Sequence, residues 1–219
     1  MTENAIPYSA LYAAYAAGTL DPGYALLVET QGALRQDVRR AIAMSEAAAG
    51  ALLEAEAAAP MAANALDRAF ASIDALGPVA APSRIGTPDD ADEIGRLPAP
   101  LAEAVSRSVA AEGWKSPRRG IRRLRLDMGS AAEVELFRIQ PGASVPRHTH
   151  GANEYTLVVT GGYSDGTGSY GPGDLSLKGP DDTHTPVGDE GDVCYALIVR
   201  DGALRLTGMI GVMQRILGH

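Results

Sequence analysis

Hydrophobic positions along the chain change from a helical spacing in the first third to an alternating spacing in the second half. Near the start, Asp21 and Pro22 are the pair expected at a helix N-cap and first turn, and Leu27 and Leu34 follow two turns apart. Gly32 lies inside this periodic run and is expected to divide it. The pattern therefore predicts two helices after Asp21.

A second periodic stripe contains Leu66, Phe70, Ile73 and Leu76 and stops at a Gly-Pro pair. Alanine, the strongest helix former, is abundant between the two stripes. Residues 1–77 are therefore predicted to form three or four helices in a small bundle. Most of the second stripe is expected to pack inside that bundle, and the alternative is that Leu66, Phe70 and Ile73 supply part of a groove for a partner.

From Trp114 onward, short segments of alternating polarity predict β-strands separated by Gly, Pro and Asp turns; they read IRRLRL, EVELFRI, EYTLVV and CYALIV. This rhythm is typical of an antiparallel barrel or jelly roll. Alternation places the arginines of the first segment on the outer face of its strand, which explains this basic patch without a ligand. Residues 78–100 hold five of the fourteen prolines and an acidic run, which favours a linker.

The predicted fold class is α+β with two domains, and 219 residues leave room for two modest cores. We predict a small all-α helical domain at 1–77, the linker at 78–100 and an all-β barrel domain at 101–219. Residues 1–95 carry 13 acidic and 5 basic side chains, whereas residues 96–219 carry 14 of each, so the whole formal charge of −8 lies in the first part. This argues against direct nucleic-acid binding there and suits either a basic protein partner or a solvated helical face.

Cysteine content and the N-terminal sequence bear on the compartment. Cys194 is the only cysteine, so no intramolecular disulfide can form, and its strand context favours a buried apolar role over redox sensing. The first residues lack the basic start and apolar run of a signal peptide, and no apolar stretch reaches the length of a membrane span. The expected location is the cytoplasm, without a membrane partner.

Three of the four histidines fall in one part of the strand-forming half, and the fourth, His219, is the last residue. His148 and His150 are two apart, so their side chains share one face of a strand. Glu154 follows a turn-like Gly-Ala-Asn, and His184 follows a later turn and strand. Three imidazoles and one carboxylate suit Zn, Fe, Mn, Co or Ni, and ligand type alone does not choose among them. Ordinary strand histidines would explain a lone His-x-His pair, but the count favours one divalent metal per chain.

The spacing around these ligands resembles the first cupin motif. It runs from Gly142 through His148, His150 and Glu154 to Gly161 and matches that motif position for position. The second cupin motif is only partly kept, because His184 is present but the usual asparagine four residues later is replaced by glycine. The resemblance implies a cupin double-stranded β-helix, and the departure weakens enzymatic chemistry more than metal binding.

Taken as a whole, the chain resembles the ChrR family of anti-sigma factors, which join a helical anti-sigma domain to a cupin-like domain. The similar segments are LYAAYAAGTLDPGYALLVETQGAL, LPAPLAEAV and GALRLTGMIGVMQRILG. The resemblance implies zinc at His148, His150, Glu154 and His184, and an extracytoplasmic-function-type sigma factor as the protein partner. It also implies a stress signal, oxidative in the related family, received at the cupin domain as an oxidant or small molecule.

One departure concerns the N-terminal zinc that this family usually carries. The corresponding positions hold Ile6, Gln31, Arg35 and Val38, none of which is a normal zinc ligand, although Gln31 could act weakly. We therefore expect no zinc in the helical domain and expect packing by Ile6 and Val38 in its place. Whether the change also abolishes sigma-factor binding stays open.

Three functions are compatible with these patterns. The first is an anti-sigma factor, a negative regulator of transcription with no catalytic residues. The second is a cupin metalloenzyme such as a dioxygenase, which would need an open coordination position and a general acid or base beside it. The third is a small-molecule-binding cupin with neither role. The acidic helical segment before the barrel favours the regulator, because a stand-alone cupin has no need of it.

Overall fold

Helices precede strands in the computed structural model, which describes residues 8–77, 92–201 and 204–206. The helices are α1 (Tyr8–Ala16), α2 (Pro22–Leu34), α3 (Gln36–Ala55), α4 (Ala65–Asp74) and α5 (Ala99–Ala111). Within the described ranges, none of them combines the length and apolar character needed to cross a membrane.

Twelve strands follow α5 in the described part of the chain. They are β1 (Lys115–Arg118), β2 (Ile121–Arg125), β3 (Glu133–Ile139), β4 (His148–His150), β5 (Glu154–Thr160), β6 (Tyr163–Ser164), β7 (Ser169–Tyr170), β8 (Leu175–Lys178), β9 (Thr183–His184), β10 (Val187–Gly188), β11 (Cys194–Arg200) and β12 (Leu204–Leu206). The four strands expected from alternation correspond to β2, β3, β5 and β11, which confirms those predictions.

Every strand pair is antiparallel among these elements. The largest sheet has the order β1-β2-β3-β11-β5-β8, and two three-stranded sheets have the orders β10-β6-β7 and β12-β4-β9. Neighbours distant in sequence, such as β11 between β3 and β5, are typical of a jelly-roll arrangement. The helical segment followed by a β-rich barrel agrees with the predicted fold class.

Both faces of the large sheet are covered, which explains why β5 and β11 are buried along nearly their whole length. On β5, Tyr155, Leu157 and Val159 belong to the core shared with the helices. The intervening Val158 belongs to a second core inside the barrel, and Glu154 on the same face lines the barrel cavity. Because side chains alternate between the two faces of a strand, one face of β5 packs against the helices and the other lines the barrel cavity.

Helix α2 forms the contact between the helical segment and the barrel. Its first turn is capped as predicted: the Asp21 side chain accepts a hydrogen bond from Gly23 N at 2.9 Å. Tyr24 packs edge-on against Tyr155, with ring centroids 5.4 Å apart, and its hydroxyl donates to Asp201 at 2.8 Å. The predicted break at Gly32 instead falls at Arg35, the extended residue that joins α2 to α3.

Two packing expectations need correction. Leu66, Phe70, Ile73 and Leu76 are 57–74% exposed, so the stripe predicted to pack inside a bundle faces solvent. The reason is that α4 buries none of its residues, whereas α1, α2 and α3 contact one another.

The expected linker also differs in its last residues. Ile94 and Leu97 are buried in the core that α2 shares with the sheet, and α5 begins at Ala99. Proline at the start of α5 is compatible with a first helical turn, which explains why a proline-rich segment still begins a helix. The remaining linker residues, 78–91, lie outside the described residues, and the domain boundaries stay predictions.

Candidate metal centre

Strand pairing brings the three histidines together. β4 lies between β12 and β9, and His148 is directly opposite His184 in the β4–β9 register. His150 shares the face of His148, and Glu154 opens β5 after the short turn. Ligand atoms of all four residues lie within 4.8 Å of one another, and all four residues are buried. The structure therefore gathers the four residues singled out from the sequence.

Hydrogen bonds at the Nδ1 atoms of two histidines fix the tautomers of these rings. His148 Nδ1 lies 2.8 Å from the carbonyl oxygen of Pro146, and His184 Nδ1 lies 2.8 Å from Oδ2 of Asp165. Because a carbonyl and a carboxylate only accept hydrogen bonds, we assign the proton to Nδ1 in both neutral rings. The bare Nε2 atoms of these rings then face each other at 2.9 Å.

This arrangement of lone pairs fits a cation. His150 Nε2 completes the group, 3.2 Å from His184 Nε2. Tetrahedral Zn–N bonds of about 2.0–2.1 Å correspond to nitrogen separations of about 3.3 Å, close to these values. Burial lowers the pKa of His148 to about 4 and also lowers the pKa of His184. These two imidazoles are therefore neutral at neutral pH, and each can donate the lone pair of its Nε2 atom to a metal.

The carboxylate of the group is held ionised by its neighbours. Burial alone would raise the pKa of Glu154, but the nearby His150 and Arg200 lower it to about 2. Arg200 Nη1 lies 3.5 Å from Glu154 Oε2, and the same guanidinium donates to Glu133 and Glu135. The four-residue group therefore presents three imidazole nitrogens and one negative oxygen, a donor set suited to a divalent metal.

Asp165 supports the site from behind His184. Its Oδ2 accepts from His184 Nδ1 and lies 3.0 Å from the ammonium of Lys178. Burial raises its pKa, but hydrogen bonds from Thr167, His184 and Lys178 outweigh that effect and lower the pKa overall. A carboxylate at this place orients the ring and increases the basicity of its ligating nitrogen.

The glycine that departs from the second cupin motif is explained by close backbone packing. A Cβ atom on Gly188 would lie 2.7 Å from the carbonyl oxygen of Gln140 and 3.1 Å from Ile139 Cγ2. No side chain fits there without movement of the backbone. The asparagine of the motif is therefore incompatible with this barrel, whereas the four ligand positions are unaffected.

The helical positions expected to have lost zinc ligands make other contacts. Gln31 is buried, donates from Nε2 to the carbonyl oxygen of Gly173 at 3.2 Å and accepts from Tyr12. Arg35 pairs with Asp37 and, at 3.2 Å, with Asp174. Val38 is buried, as expected, and Ile6 lies outside the described residues.

Several supporting residues were not identified from the sequence. Asp165 lies in a Gly- and Ser-rich turn segment where an acidic residue is ordinary, and Lys178 ends a short strand. Arg200 is easier to identify from the sequence than Asp165 or Lys178, because it is a charged residue at the end of the otherwise apolar strand β11. Cys194 is buried as predicted, and burial raises its thiol pKa to about 12, which disfavours the reactive thiolate.

Comparison with known proteins agrees with this architecture. The family model described as the ChrR cupin-like domain matches residues 103–204. The anti-sigma-E factor ChrR of Cereibacter sphaeroides is 33% identical over 201 residues, which cover 92% of this chain and 91% of that protein. A chain in the crystal structure of Rhodobacter sphaeroides SigE in complex with the anti-sigma ChrR matches with a TM-score of 0.70 and 32% identity, over 88% of this chain and 96% of that chain.

A barrel with four buried candidate metal ligands, and with helices packed on the outer face of its large sheet, defines a cupin-type protein with a helical N-terminal segment. The sequence identity to the anti-sigma-E factor ChrR extends over nearly the full length of both proteins, which narrows the assignment to one family. The chain belongs to the ChrR family of anti-sigma factors.

Proposed function

We propose that this chain is an anti-sigma factor whose helical segment sequesters an extracytoplasmic-function-type sigma factor and whose barrel binds a metal and receives a signal. The solved complex of SigE with ChrR supports this class of partner. The observation that carries the proposal is a set of large apolar side chains left in solvent by α3, α4 and the residues around them. We call it the α3–α4 apolar surface; it comprises Met44, Leu52, Leu53, Met61, Leu66, Phe70, Ile73 and Leu76.

Within the α3–α4 apolar surface, the members on α4 form one stripe along the helix, a kind of face that is ordinarily buried against another element. The side chains of this surface are 57–80% exposed, and α4 has Leu66, Phe70 and Ile73 at the i, i+4 and i+7 positions of one face. Amphipathic helices with such anchors bind in hydrophobic grooves of partner proteins. The acidic balance of residues 1–95 favours encounter with a basic partner surface.

The proposal assigns one divalent metal, zinc, to His148, His150, Glu154 and His184, and none to the helical segment. The supporting observation is the convergence of the three histidine Nε2 atoms. The Nδ1 atoms of His148 and His184 are hydrogen-bonded, and the Nδ1 atom of His150 is buried. Zinc in such a site would supply a structural cross-link among β4, β5 and β9, and its displacement or a change of ligand would provide the signal. By analogy with the family, the signal we propose is oxidative.

Family membership favours a regulator over the cupin metalloenzyme considered from the sequence. The test of the regulator is co-expression of this chain with the extracytoplasmic-function-type sigma factors of the same genome. Phe70→Glu places a charge in the middle of the apolar face of α4 and is expected to abolish co-purification. The matched control is Ala71→Glu, which adds the same charge on the opposite side of the helix, where Ala71 is exposed.

Both variants should retain the helical content and melting temperature of the parent protein, because neither position is buried. Equal loss of binding in the two variants would show that charge alone disturbs the complex. Retention of binding by Phe70→Glu would contradict the assignment of this surface. Failure of the parent protein to bind any of these sigma factors would instead favour the enzyme.

A further inference from the structure

Two of the candidate metal ligands lie at one corner of the barrel, where β4 ends at His150 and β5 begins at Glu154. Beside them, β11 ends at Arg200 and β12 begins at Leu204. Arg200 is opposite Glu154 in the β11–β5 register, and Leu204 is opposite His150 in the β12–β4 register. We call this place the ligand corner. The chain segment that joins β11 to β12 therefore passes directly beside both ligands.

Buried charges hold the ligand corner together on the inner face of the sheet. Arg200 is 3% exposed, and its Nη1 atom lies 3.5 Å from Oε2 of Glu154. The same guanidinium donates to Glu133 at 3.0 Å and to Glu135. Because a buried charge is costly to leave unpaired, Arg200 is constrained to follow the position of the Glu154 carboxylate.

Tyr24 of α2 contacts the same two strands from the outer face of the sheet. Its hydroxyl donates to Oδ1 of Asp201, the residue that follows Arg200, at 2.8 Å. Its ring packs edge-on against Tyr155, the residue that follows Glu154. The backbone nitrogen of Asp201 also donates to the carbonyl oxygen before Glu154 at 3.4 Å. Tyr24 thus lies behind the ligand corner and contacts both of its strands.

Other polar contacts of α2 reach the barrel at places without a candidate ligand. Asp21 accepts a hydrogen bond from Ser130, which lies before β3. Gln31 donates to the carbonyl oxygen of Gly173, in the turn before β8. Tyr24 is 5% exposed, so its bond to Asp201 is also shielded from water on the side of the phenol. The position of Tyr24 therefore suits a connection between the helical segment and the metal site.

We propose that the hydrogen bond between Tyr24 and Asp201 couples the ligand corner to α2, so that metal binding and the packing of α2 strengthen each other. His150 and Glu154 take fixed positions when both bind one cation, which also restricts Arg200 and the adjoining Asp201. A restricted Asp201 loses less freedom when it accepts the bond from Tyr24. By linkage, the bond then increases metal affinity by the same factor.

This inference rests on the metal site proposed above and does not depend on the sigma factor. The test is the zinc affinity of the full chain, measured by competition with a chromophoric chelator. Tyr24→Phe keeps the ring against Tyr155 but removes the hydroxyl, and it is expected to weaken zinc binding about fivefold. A purely structural bond would instead contribute equally to the stability of the apo and zinc-bound protein and leave the affinity unchanged.

Hydrogen exchange provides a second measurement on the same proteins. In the parent protein, zinc should slow the exchange of amides in α2 as well as in β4 and β5. In Tyr24→Phe, zinc should still slow exchange in the two strands, but its effect on α2 should be smaller. An undiminished effect of zinc on α2 would contradict the coupling through Tyr24.

Tyr15→Phe is the matched control. The Tyr15 hydroxyl donates to Oε1 of Glu29 at 3.1 Å, so this variant also loses a bond from tyrosine to a carboxylate, but one made within the helical segment. Its zinc affinity should equal that of the parent protein. Asp201→Ala removes the proposed bond from the barrel side and should resemble Tyr24→Phe. The double variant Tyr24→Phe/Asp201→Ala should bind zinc no more weakly than either single variant.

The possible failures are distinguishable. Absence of zinc uptake by the parent protein would overturn the metal assignment and this inference with it. Zinc uptake with equal affinity in Tyr24→Phe and the parent protein would overturn the coupling alone. An equal loss in Tyr15→Phe would show a general weakening of the helical segment, and additive losses in the double variant would show that Tyr24 and Asp201 act separately. If Tyr24→Phe does not fold, Asp201→Ala tests the same bond.

Discussion

The carboxylate of Asp165 fixes the orientation of one candidate ligand. It accepts from His184 Nδ1 at 2.8 Å and is itself held by Lys178 at 3.0 Å. Asp165→Asn keeps the size of the side chain but removes its negative charge. That charge increases the basicity of the His184 Nε2 atom, which would bind the metal. We expect a loss of zinc affinity of about 10- to 100-fold, measured by competition with a chromophoric chelator.

Asp192→Asn makes the same chemical change at an exposed position and provides the control. Its zinc affinity should match that of the parent protein, and both variants should keep the barrel fold. If Asp165→Asn binds zinc as tightly as Asp192→Asn does, the carboxylate does not support the ligand.

At the scale of residues, the sequence predicts the candidate ligands better than the residues that support them. His148 and His150 were identifiable because a period of two places them on one strand face, and Glu154 and His184 because of motif spacing. Asp165 was not, because its role depends on a contact across 19 positions that no local pattern encodes.

At the scale of elements, the turn before β8 is joined to α2. Buried Gln31 bridges the Gly173 carbonyl and the Tyr12 hydroxyl at 3.2 Å and 3.1 Å. Gln31→Leu keeps the volume but leaves both groups without this partner, so we expect a loss of about 2 kcal/mol in the free energy of unfolding. Urea denaturation measures the loss, and hydrogen exchange should show faster opening of α2 and of the 171–174 turn.

Gln36→Leu is the appropriate control, because Gln36 is exposed at the start of α3. Its free energy of unfolding should change by less than about 0.5 kcal/mol. Equal stability of the two variants would show that the contact between α2 and the turn contributes little.

A second connection between elements is sensitive to acid. Glu93 makes two contacts with Arg138 at 2.8 Å and 2.9 Å, and these lower its pKa to about 2 from an ordinary value of 4.5. The unfolded chain therefore takes up a proton at higher pH than the folded protein does. The stabilisation is complete above pH 4.5 and is lost as the pH falls from 4.5 toward 2.

Glu93→Gln should accordingly be less stable than the parent protein by about 1 kcal/mol near neutral pH, since Glu93 is partly exposed and its ion pair is screened. The difference should shrink at about pH 3, as measured by urea unfolding at both pH values. Glu103→Gln is the control, because Glu103 pairs with Arg107 on the exposed face of α5. A pH-independent difference for Glu93→Gln would contradict the ion-pair explanation.

Element types followed from the sequence more reliably than their packing. The periods of helix and strand are local properties, so α2, β3, β5 and β11 were predictable. Which face a helix buries depends on its neighbours: α4 has a regular apolar stripe, yet Leu66 and Phe70 remain exposed. Ile94 and Leu97 lie in a proline-rich segment, and their burial depends on the sheet behind them.

At the scale of the whole molecule, one hydrophobic core crosses the boundary between the helical segment and the barrel. Leu27 and Val28 of α2 are buried in the same cluster as Leu157 and Leu197 of the large sheet. The opposite face of these strands forms the barrel interior that holds the candidate metal site. A change inside the barrel therefore has a physical route to the helices, since packed cores resist gradual deformation.

This arrangement predicts that metal stabilises helices and barrel together. A metal present at about a thousand times its dissociation constant adds about 4 kcal/mol to the free energy of unfolding. This corresponds to a rise of about 10 °C in the melting temperature of the protein. Far-ultraviolet circular dichroism reports the helices, and the fluorescence of Trp114, the only tryptophan, reports the barrel because its ring packs on Tyr195. Both probes should give one transition, and chelation should shift both equally.

The double variant His148→Ala/His150→Ala provides the control, because chelator should then have no effect on either probe. Two separate transitions, with the helical one unmoved by chelation, would show that the segments unfold independently despite their shared core. Such independence would leave the barrel without influence on the α3–α4 apolar surface, because a signal alters partner binding only through a difference in free energy between two states. A joint shift would instead establish the coupling that regulation by the barrel requires.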